Sequence, residues 1–503
     1  MRRIIYFLSA VVAMILVAFG CKKTLYKEPS AQLSTEVNYI TADDAKRAIT
    51  AAYAPLAGNN WCCSYIQPGY MHWVLGNVAS DDTDKGGESG SDQLYAQQIQ
   101  LFNIPADNDA TRFAYQISYV GIRRTNLVFE NVAKITMDNA LKNRYLAEAK
   151  FLRAWYYFNL VKAFGDVPLI LSSEIGPSDI TRTPKQQVWD QIVKDLTEAE
   201  AVLPKESLYP AGEKGRATQG ACQAYLGKAF LYQKNFAKAE EWFGKVIASN
   251  EYQLNTDFLQ MFLRAGETSK EHIFVVKFLN DQGAQPANNN NIGTTFGSRA
   301  RSGWGFNLPT KDFVDAFEAG DPRLNQSVYK TGDVMPDGLV ANVGNSTTGY
   351  LTKKYYVPEY ERIQGSLQAG RDDIYMRLGK VYLWYAEAAN EIGKTTEALK
   401  YLNEVRKRAR QGNNAVLPDV TVTAKDALRD AIWKEQRVEF GQEYERFFEL
   451  VRQGRAGQVL RAFAAKYNTA KGQGFKDGVN EIFPIPQTEI NLSNGKITQN
   501  PGY

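Results

Sequence analysis

Two stretches of this chain set flat aromatic rings beside side chains that donate and accept hydrogen bonds. In the first, Trp61, Tyr65 and Trp73 precede Asp81, Asp82 and Asp84; in the second, Asn280, Asn291, Phe296, Arg299, Arg301 and Trp304 share one polar segment. A sugar ring shows an apolar patch of axial hydrogens and a rim of hydroxyls, so rings next to amides, carboxylates and guanidinium groups are the equipment of a glycan site. Each ring has a second use, packing its own loop onto the fold.

Other chemistry is thinly provided. The acidic run Asp81 to Asp92 places oxygens at the first and third positions counted from Asp82 and a glycine, Gly87, at the sixth, which resembles the start of a calcium loop. The twelfth position is Gln93 where a bidentate Glu should stand, so calcium competes with a solvated turn and no EF-hand is written here. Glu435, Glu439, Glu443 and Glu445 alternate with Arg437 and Arg446, a spacing that favours ion pairs between helices over the paired, cleft-facing carboxylates of a glycosidase. With only His72 and His272 available, a zinc site or a histidine triad has little to draw on. No nucleophile elbow or phosphate-cradling glycine loop occurs. No cofactor and no catalytic residue are expected.

The elements that must position these loops begin with an export leader. Arg2 and Arg3 precede an apolar run from Ile4 to Phe19, and Ala18-Phe19-Gly20-Cys21 is a cleavage context that offers Cys21 for lipidation, with a plain secretory signal as the alternative. Acylated there, the chain would be held on a bilayer by its lipid rather than by a spanning helix. Without Arg2 and Arg3 the formal net charge falls from +4 to about +2, which gives no electrostatic case for nucleic acid. Three further cysteines remain in a compartment that favours oxidation. Cys62 and Cys63 could close a ring, one could bridge to Cys222, or all three could be buried thiols.

Periodicity predicts helices over 41–56, 141–164, 184–203, 311–318 and 424–447, a polar loop over 58–109, and a strand-like run from His272 to Leu279. Leu226, Gly227, Phe230, Ala239 and Phe243, and again Ala386, Ala389, Ala398, Leu402 and Val405, fall at the spacing of tetratricopeptide helix pairs. The fold class read from these patterns is all-α: an irregular tetratricopeptide-repeat scaffold with a loop-rich inserted lobe carrying a few short strands. Its expected divisions are a signal peptide at 1–20, the lipidated Cys21 and a tether at 21–34, an N-terminal region with the aromatic loop at 35–250, the inserted lobe at 251–371, and C-terminal helices with an extended tail at 372–503.

Four strings are more specific than any period: EAKFLRAWYYFNLVKAFGDVPLI from Glu148, GWGFNLPTKDFVDAFEAGDPR from Gly303, IWKEQRVEFGQEYERFFELVRQGR from Ile432, and the terminal FPIPQTEINLSNGKITQNPGY from Phe483. Together they resemble the SusD/RagB family of outer-membrane lipoproteins over essentially the whole mature chain. The resemblance implies a non-catalytic protein, anchored to the outer membrane, that captures a glycan or similar nutrient and passes it to a SusC-like TonB-dependent transporter. Members of that family commonly put ligand contacts in regions corresponding to the two loops named above, and Trp304, lying in the family-like GWG string, is the ring best suited to a structural role. Lys22-Lys23-Thr24 stands where exported members often carry acidic residues, which leaves open the face of the membrane on which the protein is displayed. A competing reading is a repeat-built scaffold lipoprotein that assembles envelope proteins and binds no glycan.

Overall fold

The computed structural model describes residues 39–57, 71–175, 180–279, 290–363, 367 and 369–503. Its first helix, α1 (Ala42–Tyr53), starts on a capping box in which Thr41 and Asp44 satisfy each other's backbone N–H groups. Next come α2 (Asp109–Asn131), capped by Asn108, and α3 (Asn139–Phe164), capped by Asp138. From Phe151 to Phe164 nearly every side chain of α3 is buried, so this helix has no polar face. Gly165, with φ of 73°, ends it as its place before Val167-Pro168 requires.

The scaffold continues through α4 (Lys185–Glu200), α5 (Gln219–Tyr232), α6 (Phe236–Ala248), α7 (Leu378–Glu391), α8 (Thr395–Arg410) and α9 (Lys425–Phe440). Each helix from α2 to α8 packs on the next, although more than a hundred residues separate α6 from α7. The α5/α6 and α7/α8 pairs are those predicted from the small-residue spacing. A Cβ added to Gly227 would lie 2.5 Å from the Phe243 ring, so the glycine is what lets α5 and α6 close on each other. Burying Phe243 in that gap contributes about 2–3 kcal/mol.

The structure corrects two expectations. The predicted loop over 58–109 holds a π-helical turn (Trp73–Val78), a strand and a short helix (Leu94–Gln100) in its described part. The apolar residues of the run Trp73–Val78 sit in the main core, and Gly76 admits the Tyr444 carbonyl to 2.0 Å from where a Cβ would stand. The predicted helix 424–447 breaks at Gly441 and resumes as α10 (Arg446–Arg452). The break is made by the ring of Phe313, which fills the space of a Cβ on Gly441. Gln442 and Tyr444 then take φ of 69° because Thr83, Asn77 and Asp82 hold their polar groups in that turn.

Three two-stranded antiparallel ladders decorate the scaffold: β1 (Thr83–Gly86) with β3 (Phe306–Pro309), β2 (His272–Val276) with β6 (Asp373–Arg377), and β4 (Val328–Tyr329) with β5 (Leu351–Thr352). Phe296 and Phe306 of the inserted segment belong to the main core, while Leu308, Tyr329, Met335, Leu351 and neighbours form a satellite core. The C-terminal tail is pinned to the end of α3. The Phe483 N–H donates to the Ala163 carbonyl at 2.7 Å, and the Asn500 amide donates to the carbonyls of Phe164 and Phe483.

Candidate functional site

The β1–β3 pairing brings the two aromatic-bearing loop regions together. Thr83 faces Pro309, Asp84 faces Leu308 and Gly86 faces Phe306, and beyond the ladder the Gly87 N–H donates to the Gly305 carbonyl at 2.9 Å. Thr310 closes the other end, its hydroxyl donating to the Asp81 carbonyl at 2.7 Å.

Several predicted contact residues form the base of this junction rather than its surface. Trp73 is 1 % exposed, its ring 5.7 Å from Phe296 and 5.9 Å from Phe306, and Phe296 in turn meets Tyr355 at 5.2 Å. Neither Trp73 nor Phe296 offers a free face to a ligand. Both rings took the loop-packing alternative because their segments fold into helical turns buried on all sides. Asp81 and Asp82 are also buried and are not free acceptors. Arg446 grips Asp81 with two bonds of 2.9 Å, and Arg437 reaches Asp82 at 2.7 Å. Burial alone would raise the Asp81 carboxyl, but Arg437 and Arg446 outweigh it and hold it well below the usual carboxylate range. With Asp82 facing Arg437, the first position of the calcium reading is occupied by a guanidinium. Among the described residues no group of three or more His, Cys, Asp or Glu is placed to hold a metal ion.

On the outside of the junction stand Asn291, Arg299, Arg301 and Trp304, all half-buried. Arg299 ties the lobe to the first loop region through Glu88 (2.7 Å) and Asp92 (3.0 Å). Arg301 donates to Glu359 at 2.8 Å and to the Tyr356 hydroxyl, with Asp337 beside it. The Trp304 ring packs against the main core, and its backbone N–H donates to the Thr294 carbonyl at 2.7 Å. The Asn291 side-chain amide oxygen and the Thr294 hydroxyl are buried and find no hydrogen-bond partner among the described residues. Next to Arg301's partner Glu359, Tyr360 is 69 % exposed, a ring the sequence reading missed. Its signal was the Pro358-Glu359-Tyr360-Glu361 turn, where a tyrosine between two acids has little reason to turn inward. Trp61, Tyr65, Asn280, Cys21, Cys62 and Cys63 lie outside the described residues. Cys222 is a free, buried thiol on α5.

A buried ionic network fixes this junction on the scaffold. Arg377, at the end of β6, donates to Glu271 (2.8 Å), Glu439 (2.7 Å) and Glu443 (2.7 and 2.9 Å). Arg323 and Lys354 of the inserted lobe reach Glu439 (3.0 Å) and Glu443 (2.7 Å) of the α9–α10 turn. Burial works to raise the Glu443 carboxyl, yet Arg377, Lys354 and Lys380 together bring it down to about 2. Glu435, Glu439, Glu443 and Glu445 are thus ion-paired inside the protein and face no cleft as a catalytic pair. His72 is buried and His272 half-buried; desolvation lowers His272 to about 4, where it stays neutral with Nε2 3.2 Å from the Met261 carbonyl.

Comparison with known proteins follows the same lines. Two family models match, "SusD family" over residues 270–503 and "Starch-binding associating with outer membrane" over residues 48–231. SusD-like protein P2 of Formosa agariphila is 25 % identical over 98 % of this chain and 98 % of its own. The starch-binding protein SusD of Bacteroides thetaiotaomicron is 26 % identical over 81 % of each chain. Among solved structures, a laminarin-binding SusD-like protein superposes with a TM-score of 0.79 at 28 % identity, covering 92 % of this chain and 100 % of that one. The helix-pair scaffold, the inserted lobe and the terminal strings that carried the resemblance all fall within these matches, and the chain belongs to the SusD family.

Proposed function

We propose that this protein is a non-catalytic glycan receptor: it binds an oligosaccharide on the junction face and delivers it to a SusC-like TonB-dependent transporter, held at the outer membrane by lipid on Cys21. The observation that supports the glycan reading is the β1–β3 pairing, which joins the two aromatic-bearing regions over a packed base, with Trp304, Asn291 and Arg299 half-buried in the lobe and Tyr360 exposed beside Arg301's partner Glu359. A ring already fixed by its own packing, as Trp304 is against the main core, binds a sugar at little ordering cost. The names of the relatives above, starch-binding and laminarin-binding, support the same class of ligand. Trp61, Tyr65 and Asn280 stay in the proposal on their chemistry. The expected divisions of the chain stay in it as well, with the lobe at 251–371 as the ligand-bearing part. Among the described residues no helix is long and apolar enough to cross a membrane, which fits attachment by lipid.

Isothermal titration of the chain lacking residues 1–21 against a panel including laminarin and starch tests the binding. Micromolar affinity for one polysaccharide, weakened in Trp304→Ala, Tyr360→Ala and Trp61→Ala without a fall in melting temperature, is the expected result. Wild-type affinity in all three variants removes this face from the site. Release of reducing ends by the pure protein would refute the non-catalytic part, and failure to co-purify with a TonB-dependent channel would refute delivery.

A further inference from the structure

Away from the junction, a cleft of about 860 Å³ opens where the segment following α6 meets the C-terminal end of α8. That volume lies inside the range of roughly 300–1,000 Å³ usual for small-ligand sites. Its lining repeats the chemistry of a sugar site. Tyr382 of α7 contributes a half-buried ring, held edge-on by Tyr401 at 5.0 Å. Tyr252 supplies a second ring, its hydroxyl 3.4 Å from that of Thr218 and its edge seated against Gly220. Between them stand Glu404 and Lys407, exposed on α8, whose side chains make no ion pair with any described residue.

The wall behind these groups is rigid. Arg408 donates to Glu271 at 3.1 Å and is also bonded to Glu439, so it belongs to the same buried network that carries the inserted lobe. Its Nε is buried without a hydrogen-bond partner among the described residues. Because Glu271 and Glu439 answer the charge of Arg408, and Asp419 that of Arg410, the cleft is left with Lys407 set against Glu404 and Asp257. No surplus positive charge is available for an acidic ligand.

We propose that this cleft is a second saccharide site, which takes a neutral, hydroxyl-rich segment between Tyr382 and Tyr252 with Glu404 and Lys407 as its polar contacts. The proposal rests on the glycan reading of the junction face, but its test separates the two. The chain without its leader is titrated calorimetrically with laminarihexaose and with maltohexaose, alongside Trp304→Ala, Tyr382→Ala and the double variant Glu404→Ala/Lys407→Ala. For whichever hexasaccharide binds, the expected stoichiometry is two. It falls to one in Tyr382→Ala, and the double variant, confined to exposed groups that the fold does not use, weakens one of the two sites by at least about tenfold. A single site that Trp304→Ala abolishes and both α7–α8 variants leave untouched overturns the second site alone. A single site lost in Tyr382→Ala and kept in Trp304→Ala overturns the junction face alone. Absence of binding to both hexasaccharides overturns this cleft as a site for neutral glycans.

Discussion

Replacing Arg377 with Met tests whether charge, rather than apolar packing, fixes the inserted lobe on the repeat scaffold. The guanidinium is fully buried and makes bonds of 2.7 to 2.9 Å to Glu271, Glu439 and Glu443 and to the Glu439 carbonyl. Methionine fills much of the same volume but leaves these carboxylates short of their shared cation. Removing one partner of a buried ion pair costs about 3–5 kcal/mol, because the remaining charge stays desolvated. With a urea slope of about 3 kcal/mol/M, the unfolding midpoint should fall by roughly 1–2 M. Arg377→Lys should recover only part of this, since one ammonium cannot reproduce the planar fork that serves three carboxylates at once. Hydrogen exchange should locate the loss: amides of β3 and β5 exchange faster, while those of α5 and α6 keep their protection. A midpoint within about 0.3 M of wild type would show that the network relaxes around the loss and that the lobe is held by something else.

Acid should act on the same region in two steps. His272, kept neutral by burial, gives stability that is complete above its unfolded value near 6.5 and declines as pH falls toward its folded value of about 4. Glu443, depressed to about 2, adds about 3 kcal/mol that is complete above 4.5 and is lost as pH falls toward 2. Melting temperature against pH should therefore drop in both windows, and His272→Gln should flatten only the upper one. Gly227→Ala should cost about 1–3 kcal/mol, because its Cβ would stand 2.5 Å from the Phe243 ring between α5 and α6; unchanged urea unfolding would mean that the pair separates freely. Trp73→Ala should lose about 3–5 kcal/mol by emptying the base of the junction. A Trp73→Ala protein with unaltered stability and reduced glycan affinity would return Trp73 to the binding surface.

The scaffold was legible because its signals are local. Capping at Thr41, the stop at Gly165-Asp166-Val167-Pro168 and the small-large pairing of Gly227 with Phe243 each need only a few neighbouring residues to be read. The junction was less legible because its decisive contacts are distant in sequence. Asp81 reads as a free acceptor until Arg446, 365 positions later, is known to hold it. Trp73 reads as a platform until Phe296 and Phe306 arrive beneath it. The break at Gly441 was hidden for the same reason, since the helical pattern continues through it and the groups that favour the turn, Phe313, Asn77, Asp82 and Thr83, come from other segments.

These hidden contacts share a direction: nearly all run from a loop or the lobe to the α9–α10 turn. Arg437 and Arg446 reach Asp81 and Asp82 of the first loop region, and Gln442 donates to Thr83 at 2.8 Å. Glu439 and Glu443 take Arg323 and Lys354 of the lobe and Arg377 of β6. Phe296 and Phe306 sink into the main core beside a small satellite core, but apolar contact has no preferred direction and does not set the angle of the lobe by itself. Paired charges and forked hydrogen bonds are directional and heavily penalised when mismatched. One turn with two residues at positive φ thus orients both halves of the junction at once.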